Sequence, residues 1–170
     1  MTAVFLKKCC LAALAVFGVF GAFNPQAFGY LDGVNLLFHE AGHVIFGLLG
    51  PGLGIWGGTL LQLLIPGGIA AGFLQKGETF SAAACLFWFG ENLIPISAYM
   101  KDSRAQVLSY VGGEIHDWGF ILTRAGLVEY DQVLGSMIWG FGLILMLAAC
   151  FFPMMILSKP EKKEGFERSV

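Results

Sequence analysis

Charge is what this sequence has least of. Only 13% of its 170 residues are Asp, Glu, Lys or Arg, against roughly a quarter in soluble domains. That is too little polar surface to cover a water-soluble globule, so lipid is the expected solvent for most of the chain. There is no long basic run and the net charge is −2, which argues against nucleic acid as a partner. Histidine is scarce too. Three residues are too few for a membrane di-iron oxidase, whose site consumes many. No internal repeat of the kind found in many transporters is visible. The four cysteines, Cys9, Cys10, Cys85 and Cys150, contain no CxxC pair. Neither a zinc ribbon nor a redox pair is indicated, and they read as small residues of apolar segments.

What is present is apolar: 56% of residues are hydrophobic and the mean hydropathy is +0.72. A helix needs roughly 20 apolar residues to cross the hydrocarbon core. Five hydrophobic segments are candidates: residues 9–23, 33–50, 59–74, 79–100 and 133–157. They predict an all-α, polytopic transmembrane bundle of four to five spans, forming one domain over residues 1–158. The first segment follows Lys7 and Lys8 and reads as a retained span ahead of a signal peptide. Residues 101–132 are a polar loop in which "HDWGFILTRAGL" suggests a short amphipathic helix at the interface. Residues 159–170 form a charged tail.

Inside the second segment stands "FHEAGHVIFG", Phe38 to Gly47. On a helix, His39 and His43 share one face one turn apart, where both imidazoles can hold one metal ion. Glu40 is rotated to the side, placed to take a proton from an attacking water rather than to bind the metal. With three histidines in the chain, an HExxH string arises by chance on the order of 0.002 times. Ionisable groups in a membrane helix are costly and by default mark function. A catalytic zinc usually takes three protein ligands, so a third is required. The candidates are Asp102, His116 and Glu91, with Asn92 nearby. Asp32 reads as a cap for the motif helix, and Asp117 as a cap or as an acceptor behind a ligand. Without a third ligand, the motif would belong to a non-catalytic metal-binding or scaffold protein.

The HEAGH helix, a further hydrophobic segment, and then "NLIPISAYMKDS" resemble the site-2 protease family of intramembrane zinc metallopeptidases. The resemblance covers roughly residues 33–105. It implies zinc bound by His39, His43 and Asp102, Glu40 as general base, Asn92 positioning substrate, and a membrane-protein substrate cleaved at or within the bilayer. Asp102 falls two residues later than the family spacing, and Ser103 stands where the family has glycine. The "HDW" segment, His116 to Trp118, lies outside the general family pattern.

Two membrane paths follow. If residues 33–50, 59–74 and 79–100 all cross, the motif and Asp102 are expected near opposite faces. If residues 51–74 instead form a re-entrant segment, broken at Pro66-Gly67-Gly68, then Asp102 and His116 reach the motif. Positive charge favours the second path. It places Lys7, Lys8, Lys76, Lys159, Lys162, Lys163 and Arg168 inside and only Lys101, Arg104 and Arg124 outside. The tail is then cytoplasmic. Five crossings divide the same charges evenly.

Overall fold

The computed structural model describes residues 2–108 and 115–158. Gly112-Gly113 and the tail 159–170 lie outside the described residues. Within them the protein is all-helical, with six α-helices: α1 Thr2–Phe23, α2 Gly29–Gly47, α3 Pro51–Gln75, α4 Thr79–Lys101, α5 Asp117–Arg124 and α6 Asp131–Ile156. Short 3-10 turns, Pro25–Phe28 and Val128–Tyr130, precede α2 and α6.

Local chemistry sets the boundaries. At the end of α1, the Asn24 side chain donates to the Phe20 carbonyl at 2.9 Å, beside the bond that the same carbonyl accepts from the Asn24 N–H. Between α2 and α3, Gly50 adopts a φ of +125°, a conformation essentially reserved for glycine. Pro51 then begins α3 at a position where its missing N–H costs nothing.

Helix α3 departs from the re-entrant alternative and matches the other, in which this segment is a helix long enough to cross. Residues 51–75 form one uninterrupted helix through Pro66-Gly67-Gly68, about 37 Å long at 1.5 Å per residue, with no re-entrant turn. An apolar environment supplies no water to the backbone groups a break would expose, so the helix tolerates its proline.

Three helices are long and apolar enough to cross a bilayer: α1, α3 and α6, the last extended by the preceding 3-10 turn. Their outer faces fit that role, since Val16, Phe20, Leu64, Phe141, Ile144, Phe151 and Phe152 are all exposed. Helices α2 and α4 are less apolar because they carry the polar interior.

Contacts fix the helix directions. Gly42 and Gly57 meet, as do His39 and Gln62, so α2 and α3 are antiparallel. Gly90 faces Gly142, and Gly135 faces Ser97, so α4 and α6 are antiparallel. Gly18 meets Met146 while Trp139 bonds the Ala22 carbonyl at 3.0 Å, so α1 also opposes α6. Helix α1 therefore runs parallel to α4. Helix α2 does too, with Asn35 against Glu91 and His39 beside Tyr99. Consecutive crossings at 9–23 and 33–50 would have to be antiparallel, and these two are not. Phe23 meets Trp139 and Asn35 meets Glu91, so the end of α1 and the second turn of α2 sit at similar depth, near the middle of α4. Phe28 folds back onto Phe17 and Gly21, burying its ring at the join.

Two apolar clusters hold the bundle. Leu11, Phe28, Phe87, Ile94, Met146 and Cys150 join α1, α4 and α6. Leu93, Ile96, Met100, Trp118, Ile121 and Leu122 join α4 to α5. Where α4 crosses α6, a Cβ on Gly90 would lie 2.9 Å from both the Gly142 carbonyl oxygen and Met146 Cγ. Small residues allow this approach. Gly90→Ala is expected to destabilise the bundle by about 1–3 kcal/mol, the usual range for overpacking, read as a lower unfolding midpoint in detergent. An unchanged midpoint would show the crossing to be loose.

Candidate metal centre

Helices α2 and α3 touch backbone to backbone, with Gly42 against Gly57. That contact brings α3 under the histidine face of α2. A Cβ on Gly58 would fall 2.6 Å from His39 Nε2, so the missing side chain is the space the imidazole occupies. The ring centroids of His39 and His43 are 4.7 Å apart. His43 lies about 21 Å along α2, towards the end shared with the start of α3 and the end of α4.

Each histidine is held from behind. His43 Nδ1 lies 2.7 Å from the Gly54 carbonyl oxygen, and His39 Nδ1 lies 3.0 Å from Gln62 Oε1. A carbonyl oxygen only accepts, so His43 Nδ1 carries a hydrogen, and in the neutral ring Nε2 then carries the lone pair. His39 takes the same tautomer against Gln62. Both Nε2 atoms point to one place. His39 Nε2 is 3.0 Å and His43 Nε2 3.1 Å from the same oxygen, Oδ2 of Asp117.

Asp117 is the first residue of α5, placed by the loop that returns from α4. His116 caps this helix, its Nδ1 accepting from Gly119 N at 3.0 Å. The Asp117 N–H donates to the Tyr99 hydroxyl at 3.2 Å. The Tyr99 ring stacks on His116 at 4.2 Å between centroids and stands edge-on to His39 at 6.3 Å. Tyr99 of α4 thus ties the cap, the carboxylate and the first histidine together.

The other sequence candidates fall in different places. Asp102 ends α4, and its two oxygens accept from Val107 N and Leu108 N, both at 3.0 Å, so it clamps the loop after α4. His116 Nε2 lies 3.7 Å from Asp102 Oδ2, while its Nδ1 is committed to the cap. The structure therefore pairs Asp102 with His116 behind Asp117 and puts neither in the histidine cluster. Burial holds the His116 imidazole below the ordinary histidine pKa, against the opposing pull of Asp102 and Asp117.

Glu91 is fully buried and accepts from Asn35 Nδ2 at 2.9 and 3.2 Å. It serves the α2–α4 contact and is not in the metal-ligating group. Asn92 is also fully buried, donating to the Trp88 carbonyl at 2.9 Å. Its Oδ1 is buried and has no hydrogen-bond partner among the described residues. Glu40 is half-buried beside His39. Among the described residues it makes no hydrogen bond or ion pair, which leaves its carboxylate available. Asp32 sits in the first turn of α2 and makes no side-chain cap bond.

Nothing matches this chain among protein-family models, curated proteins or solved structures. The centre is judged on its own chemistry, and His39, His43 and Asp117 form a group that can hold a metal ion. Two imidazole lone pairs and a carboxylate oxygen converge, an arrangement that is repulsive unless a cation or a proton lies among them. Ligands about 2.0–2.1 Å from a tetrahedral ion stand roughly 3.3 Å apart, close to the 3.0 and 3.1 Å seen here. The hydrogen bonds at both Nδ1 atoms are of the kind that orients metal-binding histidines. The donor set therefore fits a metal.

Asp117, which in the sequence reads as a helix cap or as an acceptor behind a ligand, is the carboxylate that meets the two histidines. Its available signal was its position beside the third histidine of a chain that has only three.

Proposed function

We propose that the protein is an intramembrane zinc metallopeptidase of the site-2 protease type, hydrolysing peptide bonds of a membrane protein. The observation that carries this reading is the convergence of both HExxH Nε2 atoms on one carboxylate oxygen, with the neighbouring Glu40 left unbonded. His39, His43 and Asp117 would hold the metal, leaving a fourth position open, as catalytic zinc sites do. Zinc there supplies Lewis acidity, polarising the scissile carbonyl and making water a nucleophile near neutral pH. Glu40 takes the proton of the attacking water and returns it to the leaving amine. Gln62 and the Gly54 carbonyl keep both histidines in the ligating tautomer. Tyr99 and the Asp102–His116 pair keep Asp117 aimed.

The membrane path in this reading has four passages. Helices α1 and α2 run in the same direction and overlap near mid-depth, so together they make one passage, followed by α3, α4 and α6. Both termini then lie on one side with Lys7, Lys8 and Lys76. Lys101, Arg104 and Arg124 lie on the other, with the metal centre. This is the seven-to-three division of charge that the positive-inside rule favours. It arises from a helix broken after Phe23 rather than from a re-entrant α3, and it puts the tail in the cytoplasm.

A non-catalytic metal-binding protein is the second reading. It draws support from the carboxylate at the centre, which comes from outside the family's aspartate stretch. Purified protein in detergent decides between them. Wild type is expected to bind zinc and to cleave a membrane-protein substrate, and His43→Ala to lose both. Zinc binding without turnover would favour the second reading. Unchanged zinc in His43→Ala would overturn the metal centre itself.

A further inference from the structure

A groove of about 470 Å³ opens between the first turns of α3 and one face of α5, lined by Ile55, Trp56, Phe120, Ile121 and Arg124 among others. Its volume lies in the range of ligand-binding clefts. Its walls belong to the two helices that also carry groups of the metal centre. On α5, Asp117, Ile121 and Arg124 follow one another at i, i+4 and i+7, which places them on one helical stripe. On α3, Pro51, Ile55, Gly58 and Gln62 form a similar stripe, whose far end faces His39. The lining of the groove ends at Ile55 and Ile121, one helical turn short of Gly58 and Asp117 on the same stripes.

Its chemistry is aromatic and aliphatic with one cation. Trp56 is braced edge-on by Trp118, 5.7 Å between centroids. The Arg124 guanidinium lies 5.6 Å from the Phe120 ring centre. Among the described residues no carboxylate pairs with Arg124, whereas Arg104 is paired with Glu129 and Asp131. A chain lying here with one carbonyl at the metal centre would place its neighbouring residues against the aromatic walls, and an acidic group beside Arg124.

We infer that this groove is the peptide-binding subsite of the centre, taking an extended segment with a bulky apolar side chain next to an acidic residue, which Arg124 selects. The inference rests on the metallopeptidase reading and deepens it.

The test separates binding from turnover. Full-length Glu40→Gln protein, loaded with zinc in phosphatidylcholine nanodiscs, is photo-crosslinked to a peptide carrying benzoylphenylalanine beside Asp, Asn or Lys. Crosslinks are expected on residues 55–56 and 120–124, with Asp preferred over Lys by roughly fivefold, the upper range for an exposed ion pair. Adding Arg124→Gln should bring the ratio to about one, and adding Arg124→Glu should invert it. Crosslinks elsewhere, or a ratio indifferent to both substitutions, would overturn the inference. So would loss of the crosslink when phosphatidylglycerol replaces part of the phosphatidylcholine, which would assign the groove to an anionic lipid headgroup. If groove crosslinks behave as expected but wild-type protein cleaves nothing, the subsite stands and the hydrolase reading fails.

Discussion

Glu40→Gln is expected to reduce peptide cleavage by about 10²–10⁴-fold, the usual contribution of a positioned general base, with bound zinc unchanged. The substitution keeps the size of the side chain and removes its ability to take a proton. Glu40 makes no bond to the metal-ligating group, so the ligands should remain in place. The measurement pairs metal content with cleavage rate on the same preparation. Cleavage within a few fold of wild type would remove Glu40 as the base. Loss of metal together with activity would mean that Glu40 holds the centre together rather than moving a proton.

The second large effect concerns which aspartate binds the metal. Asp117→Ala should weaken zinc binding by well over 100-fold, since it removes the one carboxylate oxygen that, among the described residues, lies within 3.1 Å of both imidazoles. Asp102→Ala should cost about 10–100-fold, as loss of a supporting partner behind a metal ligand typically does. Its carboxylate stands behind the centre, bonded to the 107–108 loop and close to His116. A zinc titration of both variants ranks them. The reverse order, with Asp102→Ala the more damaging, would restore the ligand set that the family resemblance implies and would mean that Asp117 closes the site only when metal is absent.

These two residues differ in how visible they are in the sequence. Glu40 follows from local geometry: HExxH on a helix puts two rings on one face and the carboxylate beside them, whatever surrounds the helix. Asp117 does not. It reaches the histidines because the chain turns back after Lys101, with Asp102 holding Val107 and Leu108, His116 capping α5, and Tyr99 bonding the Asp117 N–H. Each link is a contact between residues distant in sequence or a hydrogen bond with no composition signal. The same limit explains α3. Pro66 and two glycines are local helix breakers, but whether a helix breaks depends on what would satisfy the freed backbone, and that is a property of the surroundings.

By itself the sequence pointed to lipid as the solvent and to helices as the elements: too few charges for a soluble globule, apolar segments of helical length, and a histidine pair with its glutamate. Those are composition and short-period properties, set within one or two helical turns. Only the tertiary structure decided that α1 and α2 run in the same direction, that α3 is one helix, and that Asp117 rather than Asp102 or His116 meets His39 and His43. Helix direction and ligand convergence depend on packing between separate helices, where glycine contacts and buried polar partners select one arrangement among several that the same apolar pattern permits.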